Sequence, residues 1–545
     1  MNNRFLLPVA ALLFMSIGLS APAGAWTVAS NNIPLDSQVY EWLDKLAGYG
    51  LIKSDVKGIR PFTRTEAARL LLEAEANRSA NPDLMVSSLV SNLMRETRRA
   101  LAREARIIKG EENAPGFDYN ILSSARARYV YVDGVPRGYD RPVHDPGNDG
   151  VFGIGQGLRP KNPYPSPAQQ HGFEGTPLLE NNEGVIYRRG SNGEFRVTNE
   201  FFAGSWAAAL VEPMVLYAEG DRIYQARINR GYLKVGSDAV ELEVGRDANW
   251  LGLGYRGNIT LTNNARNFDQ IKLSSPEPIQ LPWIGALKYS LIFARLDEVA
   301  SSRGIRRPYF LASKVSVKPA DFVEVGLNLG RQVGGPGVDN SFGSLLRGFV
   351  GGTNNDNSNS LAGLELRFRI PCLRNSEVYG EFSGEDAASF WPIVESYVAG
   401  FYLPRLTADG KNDLRFEYFF GNAALYTNGT FTQGYIYHDQ PIGHSQGGAA
   451  QEFFFRYSHW FTARNNLALE YWHGERGNLG RVPVNGVMQA VERKDSARAT
   501  WTFPLARDFD CGLRYGVERV RNKDLVGGQN RTNQLVSVQL SYNYR

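Results

Sequence analysis

Three groups of residues have types and spacings that could do chemistry. Gly443-His444-Ser445-Gln446-Gly447 matches G-x-S-x-G, where a serine on a sharp strand-to-helix turn attacks a carbonyl and a histidine takes its proton. The following Gly448-Ala-Ala-Gln-Glu452 is short and runs into Phe453-Phe-Phe-Arg-Tyr457, a strand-like stretch, so the helix that such an elbow needs is missing. A turn built on glycines accounts for the motif, and a polar binding loop is the second reading of His444 and Ser445. Glu381, Glu385 and Asp386 would serve a glycosidase only if two carboxyls flanked a scissile bond at about 5–10 Å, which proximity in sequence does not supply. Lumen charges or loop acids explain them otherwise, and as carboxylates they could accept sugar hydroxyls. Trp250, Tyr255, Arg256, Asn263, Asn264 and Arg266 offer aromatic faces for C–H stacking and planar polar groups for hydroxyls, which is the chemistry of sugar recognition. An interfacial aromatic belt with polar lining is the competing explanation.

Other chemistries are excluded more simply. The histidines, His144, His171, His438, His444, His459 and His473, are scattered, and His438 and His444 stand six apart, so neither a metal nor a cofactor is expected. Two cysteines, Cys372 and Cys511, cannot make a disulfide scaffold; they are a pair on neighbouring strands or two isolated thiols. With 60 basic and 56 acidic residues the net charge is +4, too even for a nucleic-acid partner.

The elements that hold these residues must be read from a chain of 545 residues with 29 Phe, 26 Tyr and 9 Trp against 6 Met. A mean hydropathy of -0.33 excludes a bundle of transmembrane helices, and the aromatic excess favours strands. Arg4, the apolar run from Phe5 to Leu19 and Ala23-Gly24-Ala25 read as a secretory signal over residues 1–25. Residues 26–113 follow a helical period. Val39, Tyr40, Trp42, Leu43, Leu46 and Ala47 share one face, and Thr63-Arg-Thr-Glu66 is a capping box. Asn81-Pro82 opens one long helix over 82–109 whose face carries Arg95, Arg98, Arg99, Arg103 and Arg106. That face is a solvated surface or a contact for lipid headgroups, an anionic polymer or export machinery.

From residue 114 to 545 the period is two. Val536, Val538, Leu540, Tyr542 and Tyr544 alternate with polar residues; so do Leu242 and Val244 with Glu241 and Glu243, and Leu364, Leu366 and Phe368 with Glu365, Arg367 and Arg369. A soluble sandwich alternates too, but charges recur on one face across many strands here, which indicates a barrel with a wet interior. At ~24 residues per strand and connection, the segment holds about 18 antiparallel strands. After a first strand near Ile121 to Val132, residues 133–184 hold 10 Gly and 8 Pro and read as a long extracellular loop that folds over or into the mouth. The next strand, Val185 to Ser191, should close at Asn192-Gly193, a hairpin signal. The fold class is therefore an all-β transmembrane barrel with a small N-terminal α-helical periplasmic domain.

Several blocks carry a resemblance. They include Trp250-Leu-Gly-Leu-Gly-Tyr255 with Gly257-Asn-Ile-Thr-Leu-Thr-Asn263-Asn264-Ala265-Arg266, and Leu361-Ala-Gly-Leu-Glu-Leu-Arg-Phe-Arg-Ile-Pro371. Tyr379-Gly-Glu-Phe-Ser-Gly-Glu-Asp386 and Gly434-Tyr-Ile-Tyr437 through Pro441-Ile-Gly-His-Ser445 follow. Collinear across most of the chain, they resemble the Wzi capsule-assembly family of Gram-negative outer membranes. The resemblance implies an 18-stranded outer-membrane barrel with an occluded lumen. It also implies a lectin-like, non-catalytic protein that anchors capsular or extracellular polysaccharide, with outer-membrane lipid and lipopolysaccharide as its surroundings. The alternation also admits a porin or polysaccharide-export channel, and the clustered acids a glycan-modifying hydrolase.

Overall fold

Period-two alternation lets a strand meet lipid on one side and water on the other only if no strand edge is left open, and closure is what the chain achieves. The computed structural model describes residues 29–544 apart from 81–86, 145–167, 221, 238, 299–306, 335–340, 342, 344–357, 386–391, 393 and 430. The export signal, Asn81-Pro82, Arg306 and Asp386 lie outside the described residues.

The barrel begins with β1 (Asp118–Asp133), β2 (Gly190–Ala203), β3 (Ala207–Ala218), β4 (Arg222–Gly236), β5 (Glu241–Asp247) and β6 (Phe268–Ser274, resumed at Ile279–Leu281). It continues through β7 (Gly285–Arg295), β8 (Tyr309–Ala320), β9 (Val323–Val333), β10 (Asn359–Ile370), β11 (Ser376–Glu385) and β12 (Val394–Leu403). The last strands are β13 (Asn412–Gly421), β14 (Ala450–Thr462), β15 (Asn465–Arg476), β16 (Glu492–Pro504), β17 (Phe509–Arg521) and β18 (Arg531–Asn543). All eighteen are antiparallel to their neighbours, and β1 pairs with both β2 and β18 to close the ring. Pro276 and Pro278 interrupt β6 because neither can donate to the ladder, yet both of its halves pair with β7.

The side chains sort as the alternation requires. Val538 on β18 is 41% exposed on the outside, whereas Ser537 beside it is 6% exposed and faces in. Leu242, Val244, Leu366 and Phe368 point out; Glu241, Glu243, Glu365, Arg367 and Arg369 are buried in the lumen. Exposed Trp206, Trp283, Phe322, Phe461 and Phe509 ring one end, and Tyr129, Tyr131, Tyr217 and Tyr471 lie towards the other, as interfacial girdles do. No helix among the described residues is long and apolar enough to cross a membrane.

The turns at one end are short, such as 204–206, 282–284 and 463–464, whereas 134–189, 248–267 and 422–449 lie at the other. These are called the helix end and the loop end below. Asn192-Gly193 forms no turn. Both residues sit inside β2, paired with β1 and β3, and the Asn192 amide bonds the carbonyls of Val130, Arg188 and Gly190. Ladders on both sides outweigh the local preference, and the bend falls at Gly190, whose φ is +94°.

At the helix end lie α1 (Gln38–Gly48), α2 (Arg64–Ser79), α3 (Ser88–Ala100) and α4 (Ala102–Ile108). Ser37 and Thr63 cap α1 and α2 through Val39 N–H and Glu66 N–H. Only half of the expected capping box forms, because the Glu66 carboxylate turns instead to Lys288 of β7 at 2.6 Å. The single helix expected over 82–109 is two helices. Leu101, buried with φ -121° and ψ 26°, breaks it, so that α3 packs on α1 while α4 packs on α2. The basic face is internally paired: Arg95 and Arg99 with Glu96, Arg98 with Glu75, Arg103 with Asp118 and Arg106 with Glu112.

Candidate functional site

The lumen is filled from both ends. From the helix end, Asn32 donates its amide to Glu243 and Asp247 of β5 at 2.8 and 2.7 Å, and Lys45 meets Asp413 of β13 at 2.8 Å. Asp55 is held by Lys318, Arg367 and Arg369, and Lys57 reaches Glu377 of β11 at 2.9 Å. Residues 51–63 therefore form part of the barrel's interior. Ile59–Arg60 pairs as a strand with Trp250–Leu251, which arrives from the loop end, so the two fillings meet.

The residues expected from sequence to bind sugar converge on this meeting point although they come from separate stretches of chain. Trp250 is only 6% exposed, and its indole donates to the Gly254 carbonyl. Glu381 of β11 accepts from the Ile259 N–H at 2.9 Å, and Glu385 from the Tyr426 N–H at 2.7 Å; both acids hold loops. Asn264 donates to the Pro441 carbonyl at 3.0 Å, and the Asn263 carbonyl accepts from Glu183 N–H at 2.8 Å. His444 is fully buried, its ring stacked 3.7 Å from that of Phe419 and pressed against Gly257, where a Cβ would lie 2.2 Å from the imidazole.

Arg256 is the electrostatic centre. It meets Glu180 at 2.9 Å and Glu452 at 3.0 Å, and lies 4.5 Å from the Trp472 ring. The N–H groups of Tyr255, Arg256 and Gly257 converge on the Glu417 carboxylate at 2.7, 2.9 and 3.3 Å. Tyr255 stacks on Phe454 and lies beneath Arg415, 4.4 Å from its ring. Burial opposes ionisation of Glu180, but Arg256 and Lys494 outweigh it and hold the carboxyl well below the usual range. A second knot joins Arg137 to Glu174, Glu492 and Gln446, with Lys494 on Glu174 at 2.7 Å. Each charge is paired and hydrogen-bonded, which is the condition under which buried ions are tolerated.

This geometry does not assemble an acyl-transfer site. The segment around Gly443–Gly447 runs turn to strand, and Ser445 is held through its carbonyl, which takes the Tyr139 hydroxyl at 2.8 Å. Neither Ser445 Oγ nor His444 Nε2 has a hydrogen-bond partner among the described residues, so the two are not bonded to each other as nucleophile and base. Burial, and then Arg256, push His444 well below its ordinary value.

Arg266 differs from the rest. It is half-buried at the loop-end rim, near Arg227 and His438, and its Nε, like Nε and Nη1 of Arg227, is buried without a hydrogen-bond partner among the described residues. Burial, followed by Arg266 and Arg227, pushes His438 down to about 4. This rim has donors to spare. Three further arginines are engaged: Arg188 lies over Tyr224, Arg189 pairs with Asp133 and Arg307 with Glu298. Cys372, in the turn after β10, and Cys511, on β17, are both free.

Glu174, Glu180, Arg137, Glu417, Glu452 and Lys494 were not singled out by spacing. The strand acids and Lys494 stand at inward positions of alternating runs, which was the available signal; Glu174 and Glu180 sit in a Gly/Pro-rich loop that gave none.

A family model described as capsule assembly protein Wzi matches residues 159–535. An uncharacterized 55.8 kDa protein of the cps region of Klebsiella pneumoniae is 25% identical over 170 residues, 29% of this chain and 33% of that one. The chain thus spans about a third of the length of that curated relative. Among solved structures, Escherichia coli Wzi, described as a carbohydrate-binding β-barrel of the outer membrane involved in group 1 capsule assembly, superposes with a TM-score of 0.63 at 15% identity, over 95% of this chain and 99% of that one. With the family model covering well over half of the sequence, the chain belongs to the Wzi capsule assembly family.

Proposed function

We propose that this protein binds capsular or extracellular polysaccharide at the cell surface and anchors it there without catalysis. The loop end faces outward, the helices α1 to α4 within residues 26–113 face the periplasm, and residues 1–25 are removed on export. The observation that carries the reading is the filled lumen: segments from both ends meet at Ile59–Arg60 and Trp250–Leu251 and are tied to the wall by buried ion pairs. Such a barrel offers a surface rather than a passage. The relative described as carbohydrate-binding supports a glycan as the ligand. The rim of Arg227, Arg266 and His438, with unspent guanidinium donors, suits an acidic glycan, because a guanidinium takes a carboxylate through two parallel bonds. The apolar band and its girdles meet lipid and lipopolysaccharide. Retention arises from multivalency, since one long polymer meets many weak sites.

Deleting the gene in a capsulated strain tests this. Cell-attached polysaccharide should fall while polymer accumulates in the medium; unchanged attachment sinks the proposal.

A further inference from the structure

The N-terminal filling is bonded to the wall from β2 round to β14, and to β1 through the Asp36–Arg126 pair, which leaves the arc of β16, β17 and β18. A cavity of about 860 Å³ remains there, roofed by residues 179–183 and open at the helix end beside exposed Arg106 and Glu112 of the α4 region. We propose that this cavity is a second saccharide site, facing away from the cell surface, and that it takes a carboxylate-bearing sugar through Arg514. The proposal goes beyond surface anchoring and does not depend on it.

Three observations converge. First, Arg514 is an inward cation without an ion pair: its Nε donates to Thr500 Oγ1 at 3.3 Å, and its two terminal nitrogens have no hydrogen-bond partner among the described residues. Its charged neighbours are Arg498, Arg128 and Glu470. Arg498 already engages Glu470 at 2.6 Å, while Arg128 engages the Gln539 side chain and lies 3.8 Å from Glu194. The carboxylates are spent, so the field at Arg514 is positive. Second, the strand register lays uncharged polar side chains beside it. Thr500, Arg514 and Ser537 form one row across the wall, and Thr502, Gly512 and Gln539 the next row towards the helix end. Third, Gly512 makes a recess, since a Cβ there would meet only the Gln539 Cβ at 3.8 Å. A planar guanidinium fork binds a carboxylate in two bonds, the hydroxyls of Thr502 and Ser537 suit sugar hydroxyls, and the volume lies in the range of small-molecule sites.

The test titrates full-length protein in detergent with digalacturonate, with cellobiose and inorganic phosphate as comparison probes. Digalacturonate should bind saturably, and Arg514→Gln should weaken it about tenfold or more, as loss of a charge-assisted pair requires. Gly512→Leu, which fills the recess and keeps every charge, should do the same; it remains informative if Arg514→Gln does not fold. Arg189→Gln, at an exposed loop-end position paired with Asp133, should leave this binding unchanged. Absence of saturable binding, unchanged affinity in both cavity variants, a loss in Arg189→Gln as large as in Arg514→Gln, or equal displacement by phosphate or cellobiose would each overturn the assignment.

Discussion

Arg256 shows how a residue chosen for sugar chemistry is put to another use. Its guanidinium has the fork and the aromatic neighbours that a glycan site needs, but Glu180, Glu452 and Trp472 occupy them. Replacing it, as in Arg256→Met, strands two buried carboxylates and should cost about 3–5 kcal/mol. The expected readout is proteolysis of residues 172–185 at lower denaturant concentration than in the parent. Acid should act on the neighbouring knot through Glu174. Burial raises this carboxyl, but Arg137 and Lys494 prevail and hold it at about 2, below its ordinary value of 4.5. Its stabilising contribution is therefore complete above pH about 4.5 and is lost as pH falls towards 2. Tryptophan fluorescence should report loosening in that window, and Glu174→Gln, less stable at neutral pH, should flatten the response.

At the scale of strands and helices, alternation is a local signal and survives folding, so inward and outward faces of β5, β10 and β18 could be read from sequence. Turn signals did not survive equally. Asn192-Gly193 is absorbed into β2 by two ladders, and the break at Leu101 has no Gly or Pro to announce it; it follows from docking α3 and α4 against different helices. The strand faces support a quantitative expectation. Val538→Arg on the lipid side of β18 should destabilise the barrel by ~2–4 kcal/mol if the position lies near the bilayer midplane. Gln539→Arg, on the inward face, should cost less, and urea-induced unfolding in lipid vesicles compares them.

For the whole molecule, two fillings that meet predict a barrel that does not conduct. Reconstituted into planar bilayers, the protein should show no steady open conductance. A variant lacking residues 253–265, which removes the Arg256 knot and the loop bonded by Glu381, should show stepwise openings. Steady conductance of the parent chain would oppose the filled lumen.

The amino-acid sequence by itself determined the class of the fold, the approximate strand number and which residue of each alternating pair faces inward, because those follow from a period of two and from the cost of open strand edges in lipid. It also brought the correct segments, around Trp250–Arg266, Glu381 and His444, to notice. Only the tertiary structure decided what they do. Burial and ion pairing depend on partners far apart in the chain, as Arg256 does on Glu180 and Glu452, or Asp55 on Arg367 and Arg369. The same holds for what is left unpaired: Arg514 lines the cavity that the two fillings leave beside β16, β17 and β18.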